Sequence, residues 1–273
     1  MVGHIWLIGG TQESAQLAAA LSVAQLPWVV SVTTENARDL YRTTQLAHPD
    51  VQIWVGRLND RTIDDFLGHY QVTAILDASH PFAVEISQLA IAAAQRHVLP
   101  YLRYERPAIP PSPDAAVVSG NPEAPLFRRV DSLVTLLRSD TLQGERVLLT
   151  LGYRSLPAFA PWQSRATLFA RILPSPIALE TALAAGFTPD RIIALRPPLS
   201  LDLERALWQH WHISLVVTKA SGEAGGETMK RQLAQALGIP LVTIARPTIA
   251  YPQQTQDIPT AIAFCQQAYR RQV

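Results

Sequence analysis

The chain predicts an α/β protein made of two doubly wound parallel-sheet domains. Three observations carry this. Short β-rich runs alternate with helical segments along most of its length. The strand candidates are continuously apolar rather than alternating, as strands covered by helices on both faces must be. And one succession of strand ends, turns and helices occurs twice.

In the first block Ile5–Ile8 is an apolar run that ends in Gly9-Gly10, and Thr11–Ala24 follows with Leu17, Ala18 and Leu21 at helical spacing. Trp28–Val32 reads as a strand, Asn36–Thr43 as a helix, Val51–Val55 as a strand and Arg61–Gly68 as a helix. Ala74–Leu76 (strand), Val84–Arg96 (helix) and Tyr101–Arg103 (strand) complete the block, and this order makes a parallel sheet with helices on both faces. Pro107, Pro110, Pro111, Pro113, Pro122 and Pro125 then crowd one stretch. Proline at that density prevents ladders and favours an extended connection, so the domain boundary is placed here, giving residues 1–108 and 109–273.

In the second block Arg146–Leu151, Leu168–Leu173, Ile192–Leu195, Leu215–Thr218 and Leu241–Ile244 read as strands. Asp202–Trp211, Thr228–Leu237 and Ile258–Arg271 read as helices. The repeat is visible at the level of residues. Ala74–Ser79 precedes a helix and then Leu99-Pro100, a strand and Arg106-Pro107; Leu215–Ser221 precedes a helix and then Ile239-Pro240, a strand and Arg246-Pro247. Two similar Rossmann-like lobes are expected, with a ligand cleft between them.

Composition narrows the function. Apolar residues make up 48% and charged residues 16% of 273, enough to build sizeable cores. With 23 basic and 22 acidic side chains and no basic run flanked by aromatics, no nucleic-acid partner is expected. The single cysteine, Cys265, rules out an internal disulfide and a multi-cysteine metal site, and reads as a buried apolar residue on the last helix. The first residues carry no basic region and run straight into the glycine pair, so a signal peptide is not expected. Leu17–Val32, the most apolar long stretch, is interrupted by Ser22, Gln25 and Pro27; a membrane span needs about 20 apolar residues. A cytoplasmic home is the expectation. The subunit number is not legible, and a monomer satisfies every feature read.

The motifs that carry chemistry lie at strand ends. Gly9-Gly10-Thr11-Gln12-Glu13 joins a strand to a helix; glycine lets the backbone approach a phosphate, and the helix start offers N–H groups to an anion. The third glycine of the dinucleotide fingerprint is absent, so a tight turn capped by Thr11 explains the motif equally well. Thr34-Glu35 follows the second strand, where an acid binds ribose hydroxyls and repels a 2′-phosphate; the alternative is an acid in a helix's first turn. Asp77-Ala78-Ser79-His80-Pro81-Phe82-Ala83 lies at the carboxyl edge of the sheet, where open α/β folds bind ligands. Arg103 and Arg106, set among Tyr101 and Tyr104, suit a flat ligand bearing carboxylates, or else an interdomain salt-bridge group. Thr218-Lys219-Ala220-Ser221-Gly222 opens a glycine-rich loop with a lysine at its mouth. Leu151-Gly152-Tyr153-Arg154-Ser155 is a further strand end with a cation.

In this order the motifs resemble the precorrin-6A reductase family, including the cobalt-precorrin-6A reductases of the anaerobic cobalamin route. The segments that carry the resemblance are Gly9-Gly10-Thr11 with Glu13, Asp77–Ala83, Leu102–Pro107, Leu149–Arg154 and Thr218–Gly222. The resemblance implies hydride transfer from NADH or NADPH to a double bond of a carboxylate-rich tetrapyrrole. It implies a cofactor site at Gly9, Gly10, Thr11, Glu13 and the Ser79-His80-Pro81 corner. Charge then assigns the acetate and propionate arms to Arg103, Arg106, Arg154, Lys219 and the Ser221-Gly222 loop. Tyr153 and Lys219 are the candidate proton donors. Many relatives have Ala-Arg where this chain has Ser14-Ala15, and Ala-Gly-Arg where it has Thr34-Glu35-Asn36. Both differences remove positive charge near a 2′-phosphate, so NADH is favoured. The rivals are another Rossmann-type reductase, a non-catalytic nucleotide- or tetrapyrrole-binding module, and a pair of periplasmic-type binding lobes. The first is opposed by the missing three-glycine turn and Tyr-x-x-x-Lys pair, the last by the missing export signal.

Overall fold

The computed structural model describes residues 3–47, 51–110 and 126–271; of the proline-rich stretch, Pro111, Pro113, Pro122 and Pro125 lie outside the described residues. The strands are β1 (His4–Ile8), β2 (Trp28–Val32), β3 (Gln52–Val55), β4 (Val72–Asp77), β5 (Tyr101–Tyr104), β6 (Phe127–Val130), β7 (Arg146–Leu149), β8 (Thr167–Ile172), β9 (Ile192–Ala194), β10 (Leu215–Lys219), β11 (Leu241–Ile244) and β12 (Gln254–Thr255). They form two six-stranded sheets, ordered β12-β5-β4-β1-β2-β3 and β6-β11-β10-β7-β8-β9, with every neighbouring pair parallel. Both sheets are Rossmann-like and doubly wound, as the repeat predicts. β1, β2, β3, β4 and β5 take the same places in the first sheet as β7, β8, β9, β10 and β11 in the second.

The sixth strand breaks the equivalence. The second sheet takes it from before its repeat, as β6, and the first takes it from much later in the chain, as β12. Two compact units result: Met1–Pro107 with Pro247–Val273, and Ala108–Arg246. The expected second domain, 109–273, is therefore corrected at its far end. Gln254 and Thr255 pair with Arg103 and Tyr104, and the helix Ile258–Arg270 buries Ala261, Cys265 and Ala268 in the first unit's core.

Alternate residues of the first sheet's strands feed opposite faces. Ile5, Leu7, Val30, Leu76 and Leu102 pack with Leu17 and Leu21 on one side, while Trp6, Ile8, Val29, Ile75 and Tyr101 pack with Phe66, Leu67, Ala90 and Ala93 on the other. In the second sheet Leu148, Phe169, Val216 and Leu241 meet Trp208 and Leu233.

Several elements differ from the sequence reading. The helix expected over Asn36–Thr43 is three short pieces, Glu35–Arg38, a 3-10 turn Asp39–Tyr41 and Arg42–Ala47; the break turns Tyr41 into the core. Tyr153–Trp162 is a 3-10 stretch containing Pro157 and Pro161, residues that cannot donate to an α-helical ladder. Pro176–Ala184 is a helix capped by Ser175, with Pro176 in its first turn. Among the described residues no helix is long and apolar enough to cross a membrane.

Candidate functional site

In each sheet the strand order reverses beside its two central strands, β1 and β4 in the first and β7 and β10 in the second. That is where open α/β sheets receive ligands. The register places Ile8 opposite Asp77, so the glycine turn and the Asp77–Ala83 corner emerge side by side. Thr11 Oγ1 ties them, donating to the Ala78 carbonyl at 3.0 Å. The same oxygen accepts from Ser14 N, closing a capping box at the start of helix Gln12–Val23.

The turn is closely packed. A Cβ on Gly9 would lie 2.3 Å from the Tyr41 hydroxyl and 2.5 Å from Val30, and Gly10 has φ +99°, so neither position tolerates a side chain. Tyr41 braces the turn: its hydroxyl accepts from Gly10 N at 2.8 Å and bonds Ser14 Oγ at 2.6 Å. Thr11 N in turn donates to Ser14 Oγ. An anion at this helix start would therefore meet the N–H groups of Gln12 and Glu13 rather than those of the turn itself. Thr34, exposed, caps the next short helix through Ala37 N. Glu35 is exposed and lies 3.7 Å from Arg38.

Asp77 is the hub of the corner. Fully buried, its carboxylate accepts from Ser79 N and Arg103 Nη1 on one oxygen, each at 2.9 Å. The other oxygen accepts from Ser87 Oγ at 2.6 Å and Tyr101 Oη at 2.7 Å. Burial, then the Asp77 charge, hold the Tyr101 phenol far above its usual range, so it stays a donor. Arg103 also bonds Ser79 Oγ at 3.0 Å and Glu105 at 2.9 Å, and its guanidinium lies over the Tyr251 ring. Ser79 is thus an internal brace. His80 is half-buried and its Nδ1 accepts from Phe82 N at 3.2 Å; Pro81 is buried beside it.

Two expectations for substrate cations are corrected. Arg103 is 1% exposed and is spent on Asp77, Glu105 and Ser79. Arg106 is buried and lies 3.0 Å from Glu13, itself expected at the cofactor. Buried charges must be paired, and these three side chains are paired within the first unit.

In the second unit Lys219 ends β10, as Asp77 ends β4. Burial, then the Arg154 charge, push its ammonium below the usual lysine range. Arg154 is exposed, its guanidinium 5.8 Å from the Tyr153 ring and its Nε 3.4 Å from that hydroxyl. Tyr153, Arg154 and Lys219 therefore gather at the β7 and β10 ends. Ser221 is buried, with its N–H on the Lys219 carbonyl at 2.7 Å, and Arg246 Nε donates to the Ala220 carbonyl at 2.8 Å. Gly222 has φ +72° and donates its N–H to Glu227 at 3.0 Å. Glu227 and Lys230, which close the back of this loop, carry no signal in the sequence beyond an ordinary helical Glu-x-x-Lys.

Comparison with known proteins bears on this arrangement. The family model described as "Precorrin-6x reductase CbiJ/CobK" matches residues 4–266. A cobalt-precorrin-6A reductase of Synechocystis sp. is 45% identical over 262 residues, covering 96% of this chain and 95% of its own. One of Priestia megaterium is 33% identical, covering 90% and 92%. A solved structure named "CobK precorrin-6A reductase" superposes with a TM-score of 0.74 at 21% identity, over 98% of this chain and 97% of its own; at that identity it speaks for the fold.

Proposed function

The chain belongs to the precorrin-6x reductase CbiJ/CobK family, and from that premise we propose that it reduces a double bond of cobalt-precorrin-6A with NADH in cobalamin biosynthesis. The cobalt-bearing substrate is favoured by the names of the relatives at 45% and 33% identity. The observation that carries the reading is the pair of equivalent strand-end sites, one a glycine turn at a helix start, the other a cluster of Lys219, Arg154 and Tyr153.

When bound, a reduced nicotinamide supplies hydride to one carbon of the double bond. Its phosphates would lie on the Gln12 and Glu13 amides, with Gly10 leaving open space beside the turn, Gly9 letting the turn pack on Tyr41 and Val30, and Thr11 fixing the turn. Glu35 and Thr34, at the end of β2, suit the ribose hydroxyls, and the Glu35 charge disfavours a 2′-phosphate. The His80-Pro81 corner walls the site beside the turn. In the second unit Arg154, Lys219 and the loop that follows Lys219 take carboxylate arms, although the N–H groups expected to do so at Ser221 and Gly222 are already spent on the Lys219 carbonyl and Glu227. Lys219, made more acidic by burial and by Arg154, donates the proton to the other carbon, with Tyr153 the second candidate. The reading also assigns the enzyme to the cytoplasm.

The test is an anaerobic assay of cobalt-precorrin-6A and metal-free precorrin-6A, each with NADH and NADPH. Consumption of NADH with the cobalt substrate is expected. A strong NADPH preference would overturn the cofactor reading, and binding without oxidation of either nucleotide would make the chain a sensor. Lys219→Ala should lower kcat by about 10²-fold with the fold intact; unchanged kinetics would remove Lys219 from the site.

A further inference from the structure

The loop that leaves β10 is built in an unusual way. Gly222 and Gly226 both have positive φ, +72° and +66°, and Gly225 is pressed so closely on Ser221 that a Cβ there would lie 1.8 Å from Ser221 Oγ. The helix that follows, Glu227–Leu237, has Gly226 at its cap position, which supplies no side-chain oxygen. Two side chains of the helix reach back instead. Glu227 Oε2 accepts from Gly222 N at 3.0 Å, and Lys230 Nζ donates to the carbonyls of Gly225 at 2.7 Å and Gly226 at 3.2 Å. Three residues apart, they share one helix face, and each is 2% exposed.

A buried lysine and glutamate are a poor source of stability, because desolvation offsets their attraction and an apolar pair packs as well. What an apolar pair cannot do is hold a backbone N–H at one end of a loop and backbone carbonyls at the other. The charges around them are held in place too. Arg231 bonds Glu227 Oε1 at 2.9 Å, and Arg171, from β8, pairs with the fully buried Glu204, from helix Leu201–His210.

We propose that Glu227 and Lys230 are positioning residues that clamp the Ser221–Gly226 loop in the shape that receives a carboxylate arm of the substrate. This rests on the reading of that loop as the tetrapyrrole side of the reaction. The clamp responds to pH. Burial, and next the Arg171 charge, lower Lys230 to about 8 against the pull of Glu204 and Glu227. As pH rises through that value the lysine loses its charge, and its bonds to Gly225 and Gly226 lose their charge assistance. The loop then loosens and the tetrapyrrole KM rises.

Glu227→Gln, Lys230→Met and Lys230→Arg in the full chain test this, read by steady-state kinetics against pH and by amide hydrogen exchange. Glu227→Gln and Lys230→Met should raise the tetrapyrrole KM about tenfold, the scale of one charge-assisted hydrogen bond. The nicotinamide KM and kcat should stay within twofold. Exchange at Gly222 should speed up in Glu227→Gln while the amides of helix Glu227–Leu237 keep their protection. Lys230→Arg, charged throughout, should keep the tetrapyrrole KM flat across pH 8. If Lys230→Met does not fold, the other two carry the test. A rise in KM that persists in Lys230→Arg overturns the role of Lys230, because it then belongs to Lys219. An unchanged KM with unchanged exchange at Gly222, or a joint fall of kcat, both affinities and stability, overturns the clamp. If the wild-type chain turns over no tetrapyrrole, the proposed function fails by itself, and the exchange measurement alone decides whether the clamp exists.

Discussion

Arg103 shows how a residue's chemistry is decided by what surrounds it. In the sequence it is a cation among tyrosines at a sheet edge, suited to a carboxylate ligand. In the structure the carboxylates are the protein's own, Asp77 and Glu105, each 2.9 Å away. Asp77 is 0% exposed and Arg103 1%, so neither charge is relieved by water. Arg103→Met should therefore strand Asp77 and destabilise the first unit by about 3–5 kcal/mol, measured by guanidinium unfolding. Adding Asp77→Asn should recover part of the loss, since the stranded charge is gone. A substrate-binding Arg103 makes the opposite prediction, a raised tetrapyrrole KM at unchanged stability, and that result would restore the role the sequence suggested.

The elements most legible in the sequence are those whose hydrophobic pattern has one explanation. β1, β2, β4, β10 and β11 are mostly apolar and buried, as strands covered by helices must be, and the strand-end motifs Gly9-Gly10, Asp77–Pro81 and Lys219–Gly222 lie where that pattern puts them. What stayed hidden was set by partners far away in sequence. Phe127-Arg128-Arg129-Val130 is half polar because β6 is an edge strand, and Glu227 and Lys230 look like a solvated helical pair until the loop they grip is in place. Ile258–Arg270 lies between these cases. Its helical period is plain, but nothing local says that Ala261, Cys265 and Ala268 face Leu17, Leu21 and Leu76 of the first unit. Cys265 reports on that docking. Burial raises its thiol to about 12, whereas an exposed thiol titrates near 8.5. At about pH 8 the folded protein should resist iodoacetamide and react once denatured. The folded state also holds the proton more tightly than the unfolded one. The Cys265 contribution is thus intact below about pH 8.5 and is lost as pH rises towards about 12. Rapid labelling of the native protein would mean that the helix is not docked.

At the scale of the whole molecule, the chain builds one topology twice and completes it differently each time. The second unit is continuous, Ala108–Arg246, and supplies its own edge strand β6. The first is interrupted and completed by Pro247–Val273, which brings β12, Tyr251 against Arg103, and the helix carrying Cys265. A chain ending at Arg246 should therefore damage the unit at the opposite end of the sequence from the cut. Without the helix, one face of the first sheet loses its cover, and each large apolar side chain returned to water costs about 1.5–3 kcal/mol. A few such side chains amount to the whole stability of a domain, about 5–15 kcal/mol. The expected outcome in limited proteolysis is rapid loss of residues 1–107 and survival of a fragment close to 108–246. The nucleotide binding proposed for the first unit should be lost with it. Supplying residues 247–273 as a separate peptide should restore part of the protection, because β12 and the helix form one contiguous segment. If the shortened chain kept the NADH binding proposed for the full one, the first unit would fold without its returning segment, and the division into one continuous and one interrupted unit would be wrong.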